Sequence, residues 1–180
     1  SQFYDHPLFI DTIVEQAQKH KLEEYDHIIF SYHGLPVRQV DKVYTDDSVC
    51  DDHNCEEEMT RDNQFCYKAT CYETTRLIAD KLKLSEKDYT IGFQSRLNEK
   101  WLTPFSDQLV IEKAKEGAKK ILMFSPAFTA DCLETLVEIG EEYNELFQEH
   151  GGEKIQLVES LNAHPTWVKA LADMVHKRSL

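Results

Sequence analysis

Two side chains that exchange protons and bind metal ions follow predicted buried strands. His33 lies in the segment Ser-Tyr-His-Gly-Leu-Pro of residues 31–36, directly after one apolar run, and Glu134 follows another. The carboxyl ends of parallel strands share one edge of a sheet, where ligands collect, so His33 and Glu134 are predicted to face one crevice. There they can bind a divalent ion, exchange protons, or do both. The alternative is a hydrogen-bonded loop histidine and an exposed helix carboxylate.

An acidic helix is predicted to lead away from Glu134. Residues 131–149 contain seven carboxylates and no lysine or arginine. The four- and three-residue steps that follow Glu134 bring Glu138, Glu142 and Glu145 onto the same helical face, where like charges cost about 0.2–0.5 kcal/mol per pair. A path for a hard divalent cation would explain this unfavourable row, since such ions take oxygen ligands. A solvated helix face is the alternative.

Four of the five cysteines fall within 22 consecutive residues. They are Cys50, Cys55, Cys66 and Cys71, separated by four, ten and four residues, whereas Cys132 stands apart. Clustered thiols in a chain without a secretion signal bind metal more often than they form disulfides. Three alternatives remain: an iron–sulfur cluster, a structural zinc ion, or disulfides and free thiols. His53 is a possible nitrogen ligand in the same segment.

The pattern of apolar residues predicts the elements that position these side chains. Four short apolar runs, at residues 26–31, 90–94, 120–125 and 154–160, are typical of buried strands, and helical stripes alternate with them. The alternation predicts an α/β fold with a parallel four-stranded sheet that helices cover on both faces. Pro165 lies at a predicted helix start. An acidic insert, at about residues 45–70, interrupts the alternation and carries the four clustered cysteines.

Size and charge restrict the class of protein. The chain has 180 residues, 41% of them hydrophobic, and a formal net charge of −13. This length suits one ordinary domain, and the negative charge argues against nucleic acid or anionic lipid as a partner and suits a cation. No apolar run approaches the roughly 18 residues of a membrane span, so no transmembrane segment is predicted. The first residues lack the pattern of a secretion signal, and a soluble cytoplasmic protein is expected.

Several segments resemble the ferrochelatase family. Residues 31–36 resemble the family segment that carries the active-site histidine, and Phe-Gln-Ser-Arg at 93–96 with Trp-Leu-Thr-Pro at 101–104 is similar to a second motif. Pro126 with residues 128–136 resembles the segment that carries the essential glutamate, and Leu-Asn-Ala at 161–163 resembles the closing stretch. Together these segments cover almost the whole chain in the family's order.

The resemblance implies an enzyme that inserts ferrous iron into a porphyrin of the protoporphyrin IX type to form haem. It implies a Rossmann-like three-layer domain of the class II chelatase type, one of two that face each other across a porphyrin cleft. The implied roles are the catalytic pair His33 and Glu134, the metal or proton path Glu138 and Glu142, and the porphyrin contacts Tyr32 and Trp101. Fe²⁺ is a substrate in this scheme, and the porphyrin is its partner.

The chain also departs from the family pattern. It resembles only the carboxyl-terminal domain, so residues 1–180 are predicted to form that single domain, without the amino-terminal domain that is its partner. The usual glycine between Arg96 and Trp101 is absent. The insert resembles that of the subset with a four-cysteine [2Fe–2S] site, which implies Cys50, Cys55, Cys66 and Cys71 as ligands. Two rival functions stay open: a cobalt or iron chelatase for a sirohydrochlorin-type ring, and a non-catalytic iron–sulfur interaction module.

Overall fold

A parallel four-stranded sheet forms the centre of the molecule. The computed structural model describes residues 2–45 and 48–176. Its sheet has the strand order β2-β1-β3-β4, in which every neighbouring pair is parallel. The strands are β1 (His27–His33), β2 (Tyr89–Gln94), β3 (Lys120–Phe124) and β4 (Lys154–Leu157). The predicted α/β class and the four predicted strands are confirmed, although β4 ends before Ser160.

Helices cover both faces of this sheet. On one face lie α1 (Pro7–Ala17), α3 (Tyr67–Leu82) and α6 (Pro165–His176), which begins at the predicted proline. On the other lie α4 (Ser106–Lys115) and a π-helix (Glu134–Tyr143) that continues into α5 (Asn144–Glu149). A short helix, α2 (Val37–Val40), follows β1. The arrangement is the Rossmann-like three-layer domain that the resemblance implied.

The alternation of side chains along the strands divides the apolar core between the two faces. Phe30 stacks on Phe124 with ring centroids 4.5 Å apart, in the core shared with α1, α3 and α6. Ile29, Ile121 and Met123 point into the second core, with α4 and the π-helix. Strands buried on both faces contain continuous apolar runs, which is why the sequence predicted them well.

The insert between β1 and α3 is folded into short turns. Single-turn 3₁₀ helices span Asp41–Val43 and Cys50–His53, and α3 begins at Tyr67. Cys66 is therefore the residue that caps α3, while Cys71 lies inside the helix. Positions 46 and 47 of the insert lie outside the described residues. Within the described ranges, none of the helices is both long enough and apolar enough to cross a membrane.

Candidate active site and thiol cluster

His33 ends β1 and lies half-buried at the carboxyl edge of the sheet. Its Nδ1 atom is 2.6 Å from the backbone carbonyl oxygen of Gly34. Because a carbonyl oxygen can only accept a hydrogen bond, Nδ1 carries the proton and donates it. The Nε2 atom of the neutral ring then keeps its lone pair. This tautomer suits His33 as a proton acceptor or a metal ligand.

Aromatic rings surround the imidazole of His33. The ring centroids of Trp101 and Phe128 lie 6.2 and 5.9 Å from it. Gly34 allows the Trp101 ring to pack closely here. A Cβ atom at position 34 would lie 3.2 Å from Trp101 Cε3 and 2.8 Å from the Gln94 carbonyl oxygen. Trp101 thus lies beside His33 despite the shortened segment that precedes it. Phe128 also lies beside His33, although nothing in the sequence singled this residue out.

A cavity of about 520 Å³ opens beside His33. Its walls are mainly apolar, and they come from the first residues of the chain, the end of β1, α3 and the segment after β3. Tyr32 borders this cavity, but the residue is 3% exposed and its hydroxyl group lies 2.8 Å from Thr75 Oγ1. Tyr32 therefore belongs to the packed wall. The volume lies within the range of about 300–1,000 Å³ that is usual for ligand pockets.

Glu134 is the first residue of the π-helix and lies at the same edge of the sheet. Hydrogen bonds from its own backbone N–H and from the Cys132 side chain lower the pKa of its carboxyl group, and the positive charge that His33 gains when it accepts a proton acts in the same direction. The carboxylate is partly exposed, so it stays ionised and can meet a hydrated cation. Glu134 thus lies near enough to His33 for a charge on the imidazole to affect the pKa of its carboxyl group.

The other glutamates of the predicted acidic row differ from Glu134. The segment is a π-helix, not the α-helix that the sequence predicted. Glu142 and Glu145 are exposed, whereas Glu138 accepts hydrogen bonds from Gln94, Ser95 and Tyr143. Sequence reasoning missed these three partners. Tyr143 follows Glu138 by five residues. Residues at this spacing do not face each other in an α-helix, but they lie on adjacent turns of a π-helix.

Three of the four predicted thiols meet in the insert, and we call Cys50, Cys55 and Cys66 the thiol cluster. Their Sγ atoms lie within 4.8 Å of one another, and Cys66 Sγ is 3.4 Å from Cys50 Sγ and 3.7 Å from Cys55 Sγ. All three residues are buried. The Tyr44 hydroxyl group lies 3.2 Å from Cys55 Sγ. A set of converging buried thiols can bind a soft metal ion.

The three thiols of the cluster differ in acidity: the hydrogen bond to Cys66 raises the pKa of the Cys50 thiol, and burial raises that of the Cys55 thiol. Hydrogen bonds from the Cys50 and Tyr44 side chains and from the Ala69 backbone N–H lower the pKa of the Cys66 thiol to about 5, although burial opposes this. The position of Cys66 at the amino end of α3 acts in the same direction. Lys68 is 8% exposed and pairs with Glu56 at 2.6 Å and with Asp51 at 3.5 Å. A buried ammonium group therefore lies next to the acidic insert.

Cys71 is not among the three thiols that lie within 4.8 Å of one another, so a site shared by all four thiols stays a prediction. It lies five residues beyond Cys66, which corresponds to a rotation of about 140° beyond one full helical turn. Its side chain borders the cavity near Tyr67, and burial raises the pKa of its thiol. His53 is also outside the cluster. Its ring stacks on Tyr44 with centroids 4.0 Å apart, and its Nε2 atom is 2.7 Å from Ser48 Oγ.

Comparisons with known proteins agree with one another. The family model described as Ferrochelatase matches residues 1–179. A ferrochelatase of Coxiella burnetii (strain Dugway 5J108-111) is 42% identical over 179 residues, which cover 98% of this chain and 50% of the relative. A ferrochelatase of Pseudomonas fluorescens (strain Pf0-1) is 40% identical over 181 residues, with coverages of 99% and 53%. The chain thus spans about half the length of these curated relatives.

Among solved structures, the chain is similar to a putative cobalamin (vitamin B12) biosynthesis CbiX protein from Marinobacter aquaeolei VT8. The sequence identity is 19% and the TM-score is 0.45. The similarity covers 84% of this chain and 95% of that protein.

Proposed function

Because the chain belongs to the ferrochelatase family, we propose that it is the carboxyl-terminal half of an enzyme that inserts ferrous iron into a porphyrin. The observation that carries the proposal is the lone pair of His33 Nε2 beside an apolar cavity, with the Glu134 carboxylate at the same edge. A porphyrin offers two N–H groups in a flat apolar ring. Its recognition needs a proton acceptor and an apolar wall together.

The reaction breaks two pyrrole N–H bonds while iron sheds water and binds four ring nitrogens, and it releases two protons. His33 Nε2 accepts a proton from the ring in the proposed mechanism, because the other ring nitrogen is held in its donor form by the Gly34 carbonyl. Glu134 delivers the cation or takes the second proton, since its lowered pKa keeps it ionised. Both substrates, the porphyrin and Fe²⁺, come from outside the chain.

Aromatic side chains supply the proposed wall for the macrocycle. The ring centroids of Trp101 and Phe128 lie 6.2 and 5.9 Å from that of His33, and both rings offer apolar surface at the crevice. Tyr32 is buried beside this wall, and its hydroxyl group is hydrogen-bonded to Thr75 of α3. Large aromatic rings contribute most of the apolar contact area at such sites. The opposite wall is proposed to come from the amino-terminal half of the full-length protein.

The proposed path for iron runs along the exposed carboxylates. Glu142 is exposed on the π-helix, and Glu134 lies at its first residue. Oxygen ligands suit a hard hydrated cation, so these carboxylates can hold iron loosely before insertion. Glu138 differs from these two carboxylates, because it accepts hydrogen bonds from Gln94, Ser95 and Tyr143.

The thiol cluster is proposed to hold a metal. A [2Fe–2S] cluster takes four thiolates, and the residues here provide three, so the fit to that cofactor is incomplete. Cys71, the fourth predicted ligand, is not among these three. Zinc is the alternative, with three thiolates and one further ligand. Reduced thiols also agree with a cytoplasmic location, which we propose for the enzyme.

The proposed function is tested on the full-length protein by replacing His33 with alanine and Glu134 with glutamine. The expected result is a loss of iron insertion into protoporphyrin IX of about 100- to 10,000-fold, the usual contribution of a general base. His176→Ala, at an exposed position of α6, is the matched control and should keep full activity. Wild-type turnover of sirohydrochlorin in place of protoporphyrin would overturn the porphyrin assignment. Full activity of His33→Ala would instead favour a thiol-cluster interaction module.

A further inference from the structure

The Glu138 carboxylate has no free lone pair in this structure. Its Oε2 atom accepts hydrogen bonds from Gln94 Nε2 at 2.9 Å and from Ser95 Oγ at 2.6 Å. Its Oε1 atom accepts from the Ser95 backbone N–H at 2.8 Å and from Tyr143 Oη at 3.0 Å. Two carboxylate oxygens offer about four acceptor sites, so these donors occupy all of them. A cation could reach Glu138 only by displacing a donor.

Two of these hydrogen bonds hold an unusual backbone conformation. Ser95 follows β2 directly and has a φ of 61°, in the left-handed region that residues other than glycine rarely adopt. Both its N–H group and its hydroxyl group donate to Glu138. The carboxylate therefore stabilises the turn that leaves β2.

Gln94 connects the same carboxylate to both proposed catalytic residues. It is 1% exposed and is the Cα partner of His33 between β1 and β2. Its amide nitrogen donates to Glu138 and, at 2.9 Å, to the backbone carbonyl oxygen of Glu134. Its amide oxygen accepts from Ser31 Oγ at 2.9 Å, which fixes the orientation of the amide. A shift of Glu138 would therefore be passed to the residue that pairs with His33 and holds Glu134.

Tyr143 extends the connection along the π-helix. Burial raises the pKa of its hydroxyl group, and the charge of Glu138 adds to the effect, so the phenol keeps its proton and donates. Glu138 and Tyr143 are five residues apart, and the i→i+5 bonding of a π-helix brings such residues onto adjacent turns. The hydrogen bond between them is satisfied in this helix type and would be lost in an α-helix.

We propose that Glu138 is a positioning residue, which ties the π-helix to the end of β2 and so fixes Glu134 relative to His33, and that it does not carry iron or protons. The inference rests on the proposed function for the reaction that it serves. It separates Glu138, with its four donors, from the exposed Glu142 and from Glu134, whose carboxyl group accepts from its own backbone N–H and the Cys132 side chain. The row of glutamates in the sequence therefore contains two kinds of residue.

The test compares four variants of the full-length protein: Glu138→Gln, Tyr143→Phe, Ser95→Ala and the control Glu141→Gln, at an exposed position of the same π-helix. For Glu138→Gln we expect kcat to fall about 10- to 100-fold with the iron KM unchanged, because misplacing a group by about 1 Å has effects of this size. Tyr143→Phe and Ser95→Ala keep the charge and remove one donor each. They should also lower kcat, and Glu141→Gln should leave kcat within about twofold.

Thermal unfolding provides a readout that does not depend on chelation. Glu138→Gln and Tyr143→Phe should each lower Tm by about 3 °C or more, and the double variant should lose less than the sum, because the two residues share one bond. A raised iron KM in Glu138→Gln, with Tm unchanged and Tyr143→Phe silent, would overturn the positioning role. If the wild type inserts no iron, the proposed function fails, and the unfolding cycle still decides whether Glu138 anchors the π-helix.

Discussion

The hydroxyl group of Tyr67 donates a hydrogen bond of 2.8 Å to the backbone carbonyl oxygen of His33. Tyr67 is the first residue of α3 and directly follows Cys66 of the thiol cluster. One peptide bond and one side chain thus connect the insert to the proposed catalytic histidine. Any rearrangement of the thiol cluster that moves the start of α3 also moves this support of His33.

Replacing Tyr67 by phenylalanine should weaken the support of His33 without removing apolar surface. We expect a loss of about 1 kcal/mol of unfolding free energy, the usual net value of one hydrogen bond, and a several-fold fall in kcat. Urea unfolding and iron-insertion kinetics of the full-length protein measure the two effects. Tyr72→Phe, half-buried on the same helix, is the matched control. Equal effects of the two substitutions would mean that the bond to His33 has no special part.

The ionisation of Glu134 leads to a prediction about pH. Its pKa is lowered from 4.5, chiefly by hydrogen bonds, so the carboxyl group remains ionised between pH 5.5 and 8. Glu134→Gln should therefore lower kcat/KM by the same factor throughout this range. The measurement is iron insertion by the wild type and the variant at several pH values at constant ionic strength. A defect that shrinks as the pH falls would mean that Glu134 is protonated in the wild type within this range.

The sheet could be predicted from the sequence because its strands are buried on both faces, so that Ile28, Ile29 and Phe30 or Leu122, Met123 and Phe124 form continuous apolar runs. The edge position of His33 followed from the end of such a run. These features depend on local composition and on the geometry of parallel sheets.

The parts that could not be predicted depend on tertiary contacts. The π-helix forms where Glu138 meets Gln94, Ser95 and Tyr143, and no α-helical spacing contains this information. The position of the Cys71 side chain depends on the start of α3 at Tyr67, four residues before it. The spacing of the cysteines alone does not show where this helix begins. Equal gaps between the cysteines predicted one four-thiol site, and the structure brings three of these thiols within 4.8 Å of one another.

The thiols can be separated by metal analysis of the full-length protein after anaerobic purification. Cys66→Ser should lose the metal, because Cys66 lies between the other two thiols of the cluster. Cys71→Ser, a matched change on the same helix, should keep the metal, because its thiol faces the cavity. Iron and sulfide in equal amounts, with visible absorption, would identify a [2Fe–2S] cluster, and one zinc without sulfide would identify a structural ion. Loss of the metal in Cys71→Ser would show that Cys71 joins the site.

The last prediction concerns the activity of the 180-residue chain by itself. The chain spans about half the length of its curated relatives, and the opposite wall of the porphyrin cleft is proposed to come from the other half. A flat ring held on one face keeps the other face in water, so it is neither oriented nor desolvated for proton transfer. We therefore expect the chain alone to insert iron at least about 100-fold more slowly than the full-length protein, with the metal content of the thiol cluster retained.

Adding the separately produced remainder of the protein should restore activity in proportion to complex formation, measured by size-exclusion chromatography and chelation together. The same addition with His33→Ala in the chain is the control and should restore the complex without the activity. Full turnover by the isolated chain would contradict the two-walled cleft and would mean that the residues described here suffice for the reaction.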